Sequence, residues 1–340
     1  EITDDTNLPR INYEGFSYDG SGNVVPDSGC GSWLFEPQST NLITYSEDFS
    51  QWGYSGDITV ESGYLAPDGT NNAYKISGTT SALTLGGASE TSTRTIYART
   101  VSGTGQANLC SFNQNTNNLF TITDQWQRFE VNGAIATGGT TFYAVDFRGS
   151  TTLTEILIWG AQSEALSYAT SYIPTSGSTV TRNQDVCTNG GSLASINSTE
   201  GTLYFEGKRL SLLGSKRTIS ISDGSLNNYL YIQFQGVSNT VRIFYKTVEN
   251  GQVLLLNHAL TSPIEFGKYA FKWSDANFSL WVNGVKELEQ LTGNTATSNV
   301  FNTIGFSLGN AADKFYGKTK AVAVWKEALS DQELAELTTI

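Results

Sequence analysis

The 340-residue chain has no methionine, one histidine, three cysteines and six prolines. Each scarcity removes a class of chemistry. A Ser-His-Asp or Cys-His nucleophile system would have to draw its base from His258. Its setting, Leu256-Asn257-His258-Ala259, reads as a loop and gives it no catalytic company. The same scarcity removes histidine-rich zinc sites. Cys30, Cys110 and Cys187 are odd in number and far apart, so they form neither a disulfide framework nor a metal knuckle; they read as buried free thiols. No apolar run approaches a membrane span, the longest being short stretches such as Val253-Leu254-Leu255-Leu256. With no signal peptide and no initiating methionine, the chain reads as a mature or excised portion of a longer product.

Charge is also scarce, and lopsided. Only 15% of residues are charged, and 32 acidic against 20 basic side chains leave a net charge of −12. Nucleic-acid binding rests on clustered Lys and Arg, and docking on an anionic membrane needs the same, so neither partner is expected. The expected ligand is neutral, or acidic and held through a bound cation.

What is present is glycine (34 residues), much Thr, Ser and Asn, 12% aromatic residues and 39% hydrophobic residues. This composition favours many short strands joined by tight turns over long helices. The length exceeds that of one ordinary sandwich, so two domains are expected. Residues 1–45 read as an irregular lead-in whose Tyr18-Asp19-Gly20 and Asp27-Ser28-Gly29 are turn chemistry. A first sandwich is placed at 46–174, where strand-like runs include 94–99, 126–131, 141–147 and 155–159. A Gly/Ser/Asn-rich linker is placed at 175–199 and a second sandwich at 200–340. In Leu230-Tyr231-Ile232-Gln233-Phe234, alternation puts the three apolar residues on one face and Tyr231 and Gln233 on the other. Residues 278–288 read as a hairpin turning at Asn283-Gly284. One helix is expected at 330–337, with Ser330 and Glu333 as a capping box and Leu329 and Leu334 as a hydrophobic staple.

Three stretches carry a family resemblance. They are Leu34-Phe35-Glu36-Pro37-Gln38-Ser39-Thr40-Asn41-Leu42 with Tyr45-Ser46-Glu47-Asp48-Phe49; Ala66-Pro67-Asp68-Gly69-Thr70 with Trp126-Gln127-Arg128-Phe129; and Trp159-Gly160-Ala161-Gln162 with Ser171-Tyr172-Ile173-Pro174-Thr175 and Val180-Thr181-Arg182. In this order they resemble the carbohydrate-binding-module-like domain of tailed-phage structural and tail proteins. Glu200-Gly201-Thr202-Leu203, Trp281-Val282-Asn283-Gly284, Phe315-Tyr316-Gly317, Trp325 and Leu329-Ser330-Asp331-Gln332-Glu333-Leu334 resemble the laminin G-like, concanavalin A-like module that often follows it. The resemblance implies an all-β protein of two tandem jelly-roll sandwiches with a short C-terminal helix, serving non-catalytic adhesion at a virion surface. It implies as partners a bacterial surface glycan, other virion proteins and further copies of the chain as a homo-oligomer (trimer). It also implies, in some members, a structural calcium ion. A fold of this kind hosts many functions and names no ligand by itself.

The chemistry agrees with a binding role. The acidic strand motif of concanavalin-like glucanases, Glu-x-Asp-x-x-Glu, is missing; the nearest run, Glu287-Leu288-Glu289, follows a hairpin turn. The Gly-rich stretches, such as Gly190-Gly191, lack the downstream Lys-Ser/Thr of a phosphate-cradling loop. Asp68-Gly69 and Asp223-Gly224 offer oxygen ligands without completing a calcium loop. Aromatic rings remain, since sugars stack on Trp and Tyr while Asn and Gln read hydroxyls. Trp281 leads the expected ligand-binding residues: alternation with Leu280 and Val282 turns it away from the core, beside Asn283. Tyr231 follows, and in the first sandwich Trp52 and Tyr54. Tyr97 and Tyr143 lie on alternating strands, whereas Trp126 and Trp159 read as core. Two other roles fit the same residues: the accessory binding region of a secreted bacterial polysaccharide-degrading enzyme, and a purely structural virion decoration.

Overall fold

The computed structural model describes residues 10–12, 16–18, 24–26, 31–87, 91–112, 118–135, 141–187, 190–212 and 214–340. The chain is all-β and forms two β-sandwiches of the jelly-roll type. Its one α-helix among the described residues, Asp331–Thr338, lies near the end. Asp19 and Gly20 of the turn expected at 18–20, the turn expected at 27–29, and Cys30 lie outside the described residues. No helix among the described residues is long and apolar enough to cross a membrane.

The first sandwich comprises residues 38–184 with 17–25. One of its sheets runs Gln127–Ile135, Thr91–Arg99, Glu155–Glu164, Ala73–Ser77, Thr59–Tyr64. The other runs Leu119–Ile122, Gly105–Phe112, Phe142–Asp146, Ala82–Leu85, Gly53–Tyr54. Apolar residues at alternate positions, among them Ile96, Ala98, Ile156, Ile158, Leu109 and Val145, form the core between them.

The second sandwich comprises residues 185–340 together with 1–16 and 26–37. Its five-stranded sheet runs Gly251–Ala259, Thr240–Thr247, Tyr229–Phe234, Arg217–Ser222, Thr303–Gly305. Its larger sheet includes Ser32–Phe35, Gly317–Trp325, Gly201–Arg209, Gly267–Ser274, Asn277–Val282 and Val285–Gln290 in that order. Leu230, Ile232 and Phe234 are fully buried, as alternation requires. The Asn283-Gly284 turn has φ of 50° and 85°, the left-handed pair that a two-residue hairpin loop demands.

The segment expected as a lead-in is shared between the sandwiches. Ser32–Phe35 pairs with Gly317–Trp325, and Phe35 stacks on Phe306 at 4.4 Å inside the second core. Arg10 fastens the same segment, donating to Glu36 at 2.9 Å and to Asp185. Ser39–Asn41 instead pairs with Val180–Arg182 in the first sandwich, which places part of the expected linker there. The two sandwiches are therefore interleaved in sequence, with 38–184 the main segment of the first. Strands of three or four residues are too short to show alternation, which is why composition alone read them as irregular.

Candidate functional site

Of the residues expected to bind ligand, Trp281 faces away from the core as alternation requires, but it is only 7% exposed. The C-terminal helix covers it: Trp281 packs with Tyr204, Ala270, Leu329 and Leu334, so the ring is no sugar platform. The helix is fixed by the complete Ser330–Glu333 capping box and by Asp331, which accepts from Lys272 at 2.9 Å and from Lys286 at 2.8 Å. Asn283 is exposed but has a structural task, its Oδ1 accepting from the Lys268 N–H at 2.9 Å. Tyr231 lies on the outer face of the five-stranded sheet. Its ring is stacked on Phe244 at 5.0 Å and 7°, with Tyr229 alongside at 6.0 Å, so neighbours take the faces a sugar would use. Trp52 is core: its Nε1 donates to the Tyr45 carbonyl at 2.8 Å and its ring meets Phe142 edge-on. Tyr54 is 64% exposed on a two-residue edge strand and shares no site with Trp52. His258 lies within the strand Gly251–Ala259 rather than in a loop, 3.4 Å from Glu287. Cys110 is buried, which pushes its thiol pKa well up, whereas Cys187 is exposed.

The aromatic residues that do converge lie on the outer face of the first sandwich, around the sheet that includes Thr91–Arg99 and Glu155–Glu164. Tyr64, Tyr97, Trp126, Trp159 and Tyr172 gather there, separate from the main core. Period two places the strand residues: burying Ile96, Ala98 and Phe129 turns Tyr97, Arg99, Trp126 and Arg128 outward. On Glu155–Glu164, burying Ile156 and Ile158 turns Trp159 outward. Gly160 then interrupts the alternation with φ of 62°, and Ala161 returns to the core. A Cβ on Gly160 would lie 3.2 Å from the Tyr97 ring and 3.3 Å from the Tyr172 ring. Glycine is needed there for both the backbone and the ring approach.

Tyr172 belongs to no strand and is held from below. The buried Gln162 accepts from the Ile173 N–H at 2.7 Å, and Arg128 donates to the Thr170 carbonyl at 2.7 Å. The Tyr172 ring then sits 4.7 Å from Trp159 and 6.2 Å from Tyr97, while Tyr97 meets Trp159 at 5.3 Å. A polar network fixes the edges of these rings. Trp159 Nε1 donates to Asn72 at 2.9 Å, Asn72 donates to Glu47 at 2.9 Å, and the Tyr172 hydroxyl lies 3.0 Å from Glu47. Burial raises the Glu47 carboxyl pKa above its usual value, with the nearby charge of Asp68 adding to the effect. Cations cover several rings: Arg99 lies 5.5 Å from Trp126, Arg128 5.6 Å from Tyr97 and Lys75 5.8 Å from Tyr64. Chemically, this is a preformed apolar surface edged by amide, hydroxyl, carboxyl and guanidinium groups.

The sequence places Trp126 and Trp159 in the core; Trp159 is indeed buried, whereas Trp126 is part-exposed. The signal that recovers Trp126 is the alternation of Trp126-Gln127-Arg128-Phe129, with Phe129 inward. Trp159 follows the all-apolar run Ile156-Leu157-Ile158, whose face cannot be assigned by pattern.

A cleft of about 650 Å³ in the second sandwich is lined by Glu200, Glu249, Asn250, Asp275 and Thr295 among others. Backbone donors already engage two of its carboxylates, Thr295 N on Asp275 and Thr297 N on Glu249. The turn carboxylates considered for calcium are likewise engaged, Asp68 by Thr70 and Asp223 by Ser225 and Asn228. No group of three His, Cys, Asp or Glu among the described residues is arranged to hold a metal ion.

No protein-family model matches the chain, and no curated protein does. Solved structures show partial, distant likeness. The carbohydrate-binding module CBM40 of the Ruminococcus gnavus IT-sialidase is 17% identical, over 42% of this chain and 84% of that one, with a TM-score of 0.36. Domain 4 of AbnA, a GH43 extracellular arabinanase from Geobacillus stearothermophilus, in complex with arabinotriose, is 11% identical over 48% and 73%, with a TM-score of 0.36. The heptameric SAP-like pentraxin of Limulus polyphemus is 11% identical over 42% and 70%, with a TM-score of 0.31. At such values the function has to be read from the face itself.

Proposed function

We propose that the chain is a non-catalytic glycan-binding protein, and that the aromatic face of the first sandwich is its binding surface. The observation that carries this reading is the gathering of the part-exposed Tyr64, Tyr97, Trp126 and Tyr172 around a buried Trp159, oriented by the Asn72–Glu47–Tyr172 network. Sugar C–H faces stack on such rings, while Asn72, Glu47 and the arginines read hydroxyls and substituents. Trp126 is the ring to test, because it is part-exposed and lies at the start of an outward-facing row. Replacing Trp126 by Ala should weaken glycan binding by about 1–3 kcal/mol, the scale of one large apolar contact, and leave the melting temperature nearly unchanged. A glycan array followed by titration calorimetry measures the first quantity and circular dichroism the second. Unchanged affinity in the variant would remove this face from the reading.

The finer setting rests on the resemblance of the sequence to tailed-phage adhesion proteins: a virion-surface, extracellular component that holds a bacterial surface glycan without cleaving it. Immunogold labelling of virions from the source phage, with antibody against this chain, tests that setting. Labelled tails or capsids are expected, and labelled secreted enzyme complexes would favour the accessory-module alternative.

A further inference from the structure

On the reading that this face is the glycan site, we infer that the glycan it takes is acidic, with its anionic group set against the Arg99 guanidinium. The chain has 32 acidic and 20 basic side chains, and some of the cations meet a carboxylate. Arg10, Lys75, Arg148, Lys272 and Lys286 do so. Arg99 does not. One of its Nη atoms meets the Thr100 carbonyl at 3.4 Å, a weak contact, and its guanidinium lies over Trp126. Arg128 donates to the Thr170 carbonyl at 2.7 Å and the Thr95 hydroxyl at 3.0 Å, over Tyr97. Among the described residues neither arginine has a carboxylate partner.

The strand register makes these two a pair. Tyr97 faces Arg128 and Ala98 faces Gln127, so Arg99 falls level with Trp126. Arg99 and Arg128 then occupy diagonal corners of a square whose other corners are Trp126 and Tyr97. Diagonal neighbours across two antiparallel strands lie about 7–8 Å apart. The carboxylates of this sandwich that lie near the rings are engaged elsewhere: Glu61 by Lys75, Glu130 by the Ala169 N–H, and Glu47 by Asn72 and Tyr172. Arg99 and Arg128 lie around Trp126, with Glu130 on the same outward face two residues from Arg128, and Glu47 lies by Trp159 and Tyr172. A sugar at the Trp126 edge with a carboxylate or sulfate toward Arg99 would meet a planar fork of N–H donors suited to either anion. Arg128, its N–H groups already partly used, adds charge and holds Tyr172's segment in place. The net charge of −12 gave no hint of this, because it averages over a local reversal.

The test is titration calorimetry of the full chain against three probes, each in low and high NaCl. The probes are oligogalacturonates, the same oligosaccharides after carboxyl reduction, and κ-carrageenan oligosaccharides, which are sulfated galactans without carboxylates. The inference expects an acidic probe to bind at least about tenfold tighter than the reduced one, as for a charge-assisted contact. It expects high salt to narrow that gap, Arg99→Gln to abolish it, and Arg99→Lys to keep part of it. Preference for oligogalacturonate assigns the anion as carboxylate, and preference for the κ-carrageenan oligosaccharides as sulfate; both support the inference. Equal binding of reduced and acidic forms, or a gap that survives Arg99→Gln in a protein of unchanged melting temperature, overturns it. If the reduced probe binds and Trp126→Ala abolishes that binding, the acidic specificity falls while the glycan face stands. If no probe binds, or binding is indifferent to Trp126, both fall.

Discussion

Two tryptophans show what position adds to residue type. Trp281 and Trp126 both project from the outer faces of sheets, and alternation alone would rank them equal. A helix closes over Trp281, leaving it 7% exposed, whereas Trp126 stays part-exposed beneath Arg99. Trp281→Ala should therefore lower stability by about 3–5 kcal/mol, as for buried Trp truncations, with glycan affinity retained. Chemical denaturation and calorimetry on the one variant read both quantities. A lost affinity without lost stability would return Trp281 to the binding surface. Legibility at this scale followed exposure. The faces of Leu230, Ile232 and Phe234 could be read from the sequence, because polar neighbours mark the opposite side. What lies over an outward ring could not, since that depends on a segment distant in sequence, such as 329–338 over Trp281 or 170–173 over Trp159.

The C-terminal helix was the most legible element, because its signals are local: a capping box and a staple within six residues. Its docking was not legible, since Lys272 and Lys286 lie on strands well before it. Both lysines hold the Asp331 carboxyl below its ordinary pKa, Lys286 more strongly. A depressed carboxylate stabilises the fold above its unfolded pKa, and that contribution disappears as pH falls through the folded value. Asp331→Asn should thus lower the melting temperature at neutral pH, by an amount worth at most about 1 kcal/mol because the side chain is half exposed. Wild type and variant should converge once pH falls below the folded value, where both states carry a neutral group. Melting curves across that range check the sign; a difference that grows toward acid would contradict the ion-pair account. The short strands Ser32–Phe35 and Ser39–Asn41 show the converse, being too brief to reveal a period and recognisable only through their partners.

For the whole molecule, two sandwiches were legible from length, glycine content and strand spacing, but their division was not. Residues 38–184 with 17–25 form one compact unit, while the second sandwich draws on segments from both sides of 38–184, with Phe35 in its core. The rings assigned to glycan binding all belong to the first unit. The most direct measurement is thus the glycan affinity of residues 38–184 expressed alone, with cooperative unfolding confirmed by circular dichroism. The account predicts an affinity equal to that of the intact chain, reduced by Trp126→Ala in both. A folded 38–184 fragment that binds nothing, beside an intact chain that binds, would contradict it.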